Sequence, residues 1–320
     1  MVRLDLSNHG LDVLPPIPAD VTELICYGNE LTALPELPAG LTNLTCYRNK
    51  LTTLPVLPAG LTNLNCSANK LTSLPDLPAG LIELQCAGNE FTTLSNLPAG
   101  LTVFHCRYNK LTSLPDLPAG LTLLACASNQ LTSLPDLPAL LTNLWCDRNQ
   151  LTSLPDLPAR LTHLWCGNNQ LTALPNLPTG LIGLYCYNNQ LAALPDLPAS
   201  LTELYCADNP FPEELRTIVD RYEGTPTLIP QVNHYYAEKR RRANLREAGR
   251  TYTAIRNIGA SIPNNALGIV GHYATGYKPS YGLNQTLKNL QRNHNSYGPR
   301  RQRKTYRKKR KSNRRKTRRN

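Results

Sequence analysis

Apolar positions recur along residues 1–210 in one phrase of 20, clearest at residues 61–80, where the chain reads Leu-Thr-Asn-Leu-Asn-Cys-Ser-Ala-Asn-Lys-Leu-Thr-Ser-Leu-Pro-Asp-Leu-Pro-Ala-Gly. A period this strict predicts a solenoid, in which each coil buries its apolar side against its neighbours. The phrase closes on Leu-Pro-x-Leu-Pro. Proline fixes φ and disfavours helix in the residue before it, so this side of each coil is expected to be extended or polyproline-like, with no repeat helix. After residue 210 the period changes. From Pro212 to Gly224, acids in the first turn, apolar Leu215, Ile218, Val219 and Tyr222 at helical spacing and a closing glycine predict a helix covering the last coil. Residues 231–248 predict a second, basic helix with Lys239, Arg240, Arg241, Arg242 and Arg246, supported locally by Glu238.

All ten cysteines stand 20 residues apart, from Cys26 to Cys206, and each is followed three residues later by an asparagine, from Asn29 to Asn209. Leu64, Cys66, Asn69, Leu71, Leu74 and Leu77 form the pattern L-x-C-x-x-N-x-L-x-x-L, which resembles the leucine-rich repeat with cysteine in one leucine slot. The resemblance covers residues 2–210. The short, proline-bearing phrase is similar to the leucine-proline-rich repeats of bacterial type III effectors and to repeat proteins of large DNA viruses. It implies a leucine-rich repeat solenoid with a parallel β-sheet on its concave side. Leu64 and Cys66 would point inward from a short strand, with strands of successive coils about 4.8 Å apart. The asparagine amide would bond backbone groups otherwise buried unpaired. The first coil departs from the pattern, with Leu6 in the cysteine slot and His9 in the asparagine slot.

An inward slot makes each cysteine a small buried apolar residue. Thiols on stacked parallel strands keep their Cβ atoms about 4.8 Å apart, beyond the roughly 3.5–4.5 Å of a disulfide, so free thiols in a reducing compartment are expected. Neither a metal site nor a cofactor is expected, because no histidine occupies an inward slot. Effector ubiquitin ligases with similar repeats use a Cys-x-Asp motif, and Cys206-Ala-Asp208 matches its letters. Cys206 nevertheless stands in the ladder with Asn209 on schedule, which predicts a buried, unreactive thiol. The outer column Glu36, Asp76, Asp116, Asp136, Asp156 and Asp196 reads as turn-bonding carboxylates beside proline.

The strand positions that face outward are not dictated by the fold. The column just before each cysteine ends Trp145, Trp165, Tyr185, Tyr205, which places both tryptophans of the chain on one expected surface. With His163, Asp147, Arg148 and Tyr187 nearby, this is the composition of a protein-binding hot spot. Cross-strand stacking of the same rings is the structural alternative. A second group, Tyr27, Tyr47, Arg48, His105, Arg107 and Tyr108, reads as sequence drift. Only His105 and His163 project from the expected concave strands, three coils apart, which is about 14 Å and too far for acid–base cooperation. No glycine-rich phosphate loop or paired-cysteine metal motif is present, so an enzyme is not expected.

Composition adds a division of charge. The 320 residues carry 34 Lys+Arg and 22 Asp+Glu, net +12, with 3 Phe, 1 Met and 27 Pro, an unusual supply for a globular core. Residues 1–210 hold 8 basic and 16 acidic side chains; residues 299–320 hold 14 basic and none acidic. The cations of that tail are Arg300, Arg301, Arg303, Lys304, Arg307, Lys308, Lys309, Arg310, Lys311, Arg314, Arg315, Lys316, Arg318 and Arg319. Such a run is expected to be disordered until a polyanion neutralises it, and suits DNA or RNA binding or nuclear targeting. Tyr273, Tyr277, Tyr281, Tyr297 and Tyr306 could stack on bases.

The domains expected are the solenoid at 1–210, a capping helix at 211–224, a basic helical segment at 225–258, a loosely structured Gly/Asn/Tyr-rich segment at 259–298 and the tail at 299–320. There is no apolar run of the roughly 20 residues that a membrane span needs. The N-terminus lacks an apolar signal core, so secretion by that route is not expected. The whole reads as a monomeric, intracellular protein-interaction adaptor with a basic end, placed in host cytoplasm or nucleus by the effector and viral resemblance. The alternative is a nucleic-acid-binding or virion-associated protein whose repeats are a spacer.

Overall fold

The computed structural model describes residues 2–257. Eleven three-residue strands form one parallel sheet in sequence order: β1 (Arg3–Asp5), β2 (Glu23–Ile25), β3 (Asn43–Thr45), β4 (Asn63–Asn65), β5 (Glu83–Gln85), β6 (Val103–His105), β7 (Leu123–Ala125), β8 (Asn143–Trp145), β9 (His163–Trp165), β10 (Gly183–Tyr185) and β11 (Glu203–Tyr205). The register advances by 20 at every step, as in Leu44 opposite Leu64. Each coil returns through a proline-bearing segment, Leu-Pro-x-Leu-Pro in most, with neither helix nor strand, as the prolines require.

The core is a set of ladders. In the coil 61–80, Leu61, Leu64, Cys66 and Leu71 are almost wholly buried, and the same slots repeat through the sheet. Phe91, Phe104 and Phe211, the only phenylalanines of the chain, all fill core slots. All ten cysteines are buried free thiols. Burial pushes the thiol of Cys66 up to about 12 and does the same to Cys126, so the ladder is uncharged at neutral pH.

Each asparagine ties two coils together. The Asn69 amide nitrogen donates to the carbonyls of Cys46 (3.1 Å) and Cys66 (3.0 Å), and its oxygen accepts the Leu51 N–H (3.0 Å). The residue before each asparagine turns the chain with positive φ, for example Arg48, Tyr108 and Arg148, with φ of 54°, 55° and 54°. The outer carboxylates differ from expectation. Asp76, Asp116, Asp136 and Asp156 are exposed and make no hydrogen bond among the described residues, because water solvates them as well as a turn amide does.

Two helices follow, α1 (Glu213–Tyr222) and α2 (Leu228–Asn257). α1 buries Leu215 and Val219 and stops at Gly224, whose φ is 72°. α2 begins earlier than expected because Pro230 falls in its first turn, where proline is tolerated. The described residues fall into two units that divide between Asn233 and His234. The expectations for 259–298 and for the cations Arg300 to Arg319 lie outside the described residues. No helix among the described residues is long and apolar enough to cross a membrane.

Candidate functional site: the concave aromatic strip

Strand alternation turns residues 145, 165, 185 and 205 outward while the flanking leucine and cysteine turn in. In-register pairing then stacks the four rings on neighbouring strands. Trp165 lies flat on Tyr185 with centroids 5.0 Å apart and planes at 8°, and Tyr185 on Tyr205 at 5.0 Å and 6°. Trp145 meets Trp165 edge to face at 5.4 Å and 84°. His163 also stacks on Trp165, with centroids 5.4 Å apart and planes at 14°.

The strip extends further than the tryptophan–tyrosine column. Trp145 reaches across Ala125 to meet His105 edge-on at 5.9 Å, and the Arg107 guanidinium lies 5.0 Å over its ring. His105 and Arg107, grouped by sequence with Tyr27 and Tyr47, therefore belong to this site instead. Tyr27 and Tyr47 form a separate stacked pair at 4.4 Å. Burial, with the Arg107 charge beside it, lowers the His105 pKa and keeps that imidazole neutral at pH 7.

Small residues make the packing possible. A Cβ on Gly183 would stand 2.9 Å from the His163 ring and 3.2 Å from Tyr185. A Cβ on Gly167 would meet the Tyr187 ring at 2.8 Å. Sequence alone singled out neither glycine; the available signal was that both break columns otherwise filled by larger side chains.

The rings are consequently less open than their outward slots suggest. Tyr205 is 38% exposed, whereas Trp145, Trp165, Tyr185, His163 and Tyr187 are half-buried against one another. Faces are shared within the stack, so edges and polar tips are what the surface presents. The Tyr185 hydroxyl donates to Glu203, and burial with that contact pushes it up to about 12. Asp147 is half-buried, which raises its carboxyl, while nearby Arg148 and Arg107 oppose the rise. Arg148 projects exposed from the turn. The indole N–H of Trp145 and the Nε–H of Arg107 are both buried without a hydrogen-bond partner. No group of side chains among the described residues is arranged to hold a metal ion.

Known structures share this architecture. YopM from Yersinia enterocolitica WA-314 aligns over 66% of this chain and 47% of its own, at 39% identity and a TM-score of 0.65. The fold is that of a leucine-rich repeat solenoid. The leucine-rich repeat domain of APL1B aligns over 65% of this chain and 69% of its own at 23% identity and a TM-score of 0.50, a likeness of fold alone. A Shigella effector leucine-rich repeat domain aligns over 69% of this chain and 74% of its own, with 28% identity and a TM-score of 0.34. The chain spans about half the length of the YopM it matches. No protein-family model and no curated protein matches its sequence.

Proposed function

We propose that this leucine-rich repeat protein is a non-enzymatic scaffold that docks a protein partner on its concave sheet. The observation that carries this reading is the continuous strip from His105 and Arg107 to Tyr205, built at positions the repeat leaves free and flanked by Asp147, Arg148 and Glu203. Aromatic and arginine side chains with a polar surround are the residues that dominate binding energy at protein interfaces. The free thiols suit a reducing compartment. The full chain and its Trp145→Ala/Trp165→Ala variant, both immobilised and exposed to host lysate, provide the test. The variant is expected to keep the circular dichroism of the solenoid and lose proteins that the parent retains. Recovery of the same proteins by both would defeat the reading.

A specific feature of α2 supports a second role, nucleic-acid binding. Lys239, Arg242, Arg246 and Arg250 lie within about 80° of one another around the helix axis. Arg242, Arg246 and Arg250 have no acidic partner among the described residues. A helix with such a stripe suits the major groove of duplex DNA, about 12 Å wide, and the cations at 300–319 would add sequence-independent affinity. Removing one cation–phosphate pair should reduce the slope of log affinity against log salt by about 0.9. Replacing the three arginines by Gln is therefore expected to lower the slope by roughly 3. An unchanged slope would remove α2 from the interface, and loss of all retention on deleting 299–320 would assign binding to the tail.

A further inference from the structure

The two ends of the sheet are finished differently. Beside β11 the Glu223 carboxylate accepts the N–H groups of Cys206 (2.9 Å) and Ala207 (3.1 Å), and α1 buries Leu215 and Val219. Nothing among the described residues does this for β1. The Val2 carbonyl accepts from Thr22 and Glu23, and the Leu6 N–H donates to the Ile25 carbonyl, so residues 2, 4 and 6 turn their backbone groups toward β2. Alternation then turns the N–H and C=O of Arg3 and Asp5 to the free edge. The core beneath is open as well. Leu4 and Leu6 are only half-buried, whereas Leu64 and Cys66 in the same slots are hidden, and Val13 is 71% exposed.

We propose that β1 pairs antiparallel with β1 of a second copy of this chain, Leu4 opposite Leu4 on a two-fold axis. Charge selects this register. Arg3 then faces Asp5 of the second copy and Asp5 faces its Arg3, so Arg-Leu-Asp is its own complement when reversed. Within one chain the two already form a 3.1 Å ion pair, and opposite pairing makes a ring of four alternating charges. Hydrogen bonding selects the same register. Arg3 and Asp5, whose backbone groups are free, become the hydrogen-bonded pairs, and Leu4 takes the closer non-hydrogen-bonded position.

The finished end excludes the other arrangement. Stacking β11 on β1 head to tail would need the Cys206 N–H, which donates to the next coil at every other cysteine of the ladder and which Glu223 holds here. An isologous pair therefore closes as a dimer and cannot grow into a fibre, which is how an open edge becomes safe. The dimer replaces the monomer expected from sequence, and its two concave faces lie on the same side of one continuous sheet.

Sedimentation of the nuclease-treated full chain over a wide concentration range tests this. The parent is expected to be a dimer, and Arg3→Asp and Asp5→Arg each to dissociate at least about tenfold more readily. An equimolar mixture of the two variants is expected to regain the dimer, as is the double exchange R3D/D5R. Asp5→Arg also gives up the bonds that its carboxylate accepts from the Ser7 N–H (3.1 Å) and hydroxyl (2.7 Å), so recovery in the mixture is the decisive result. A monomeric parent, single variants as dimeric as the parent, or a mixture that stays monomeric would each overturn the proposal.

Discussion

Asn109 shows what one side chain does in every coil. Its amide nitrogen donates to the carbonyls of Cys86 and Cys106, each within 3.1 Å, and its oxygen accepts the N–H of Phe91 at 3.2 Å. Alanine there would leave three backbone groups unpaired in the core, each at about 1–3 kcal/mol. Denaturant unfolding of Asn109→Ala is expected to show a loss of about 3 kcal/mol or more, and a loss below about 1 kcal/mol would contradict the ladder. Residues of this kind were legible in the sequence, because burial and pairing repeat with the period. The lean of the outward rings was not. A column assigns Trp145 to a strand, but its rotamer decides whether the indole covers its own coil or the empty place above Ala125, and Gly167 and Gly183 open similar places for Tyr187 and His163. Gly183→Ala should therefore push His163 and Tyr185 aside and change the near-ultraviolet circular dichroism while leaving the far-ultraviolet spectrum intact. An unaltered aromatic spectrum would show that the site does not need the glycine.

At the scale of elements, the last strand depends on a side chain from beyond the solenoid. Glu223 substitutes for the carbonyl that a further coil would offer to Cys206 and takes the Ala207 N–H as well, and its half-buried carboxyl is raised by burial against the pull of the two N–H groups it accepts. Replacing Glu223 by Ala exposes an unpaired edge, at a cost of about 1–3 kcal/mol. Hydrogen exchange is expected to quicken at the Cys206 and Ala207 amides while coils near Cys106 stay protected; uniform protection would show that the carboxylate is dispensable. The strands, the proline-rich return and both helices were readable from spacing and breakers. α2 starts ahead of the basic spacing that predicts it, because Pro230 falls in its first turn, where a proline removes no helical hydrogen bond. The Glu223 cap was not readable, because its partners lie 16 and 17 residues away and nothing in the repeat phrase points to it.

Across the whole molecule, the ten thiols act together. Cys66 and Cys126 stay protonated up to about 12 in the fold, against an ordinary value of 9.0 once unfolded. Their contribution to stability is thus complete below pH 9.0 and is lost as pH rises from there toward 12. Each of these two thiols gives up a little over 1 kcal/mol per pH unit in that window, and burial pushes the other ladder thiols in the same direction. Alkaline unfolding is expected to be steep just above pH 9.0, with a shallower slope when Cys126 and Cys146 are replaced by Ala. The same slope in both proteins would mean that the thiols ionise in the native state.

The chain contains its own reporter of docking on the aromatic strip, since Trp145 and Trp165 are its only two tryptophans and both stand there. The direct measurement is tryptophan emission during titration with a captured partner that itself lacks tryptophan, read together with iodide quenching. Docking on the strip predicts a saturable shift in emission and loss of quenching, with affinity falling about tenfold or more in Tyr185→Ala at an unchanged fold. Emission and quenching that stay constant through saturation would place the partner elsewhere and leave the rings as internal braces of the solenoid.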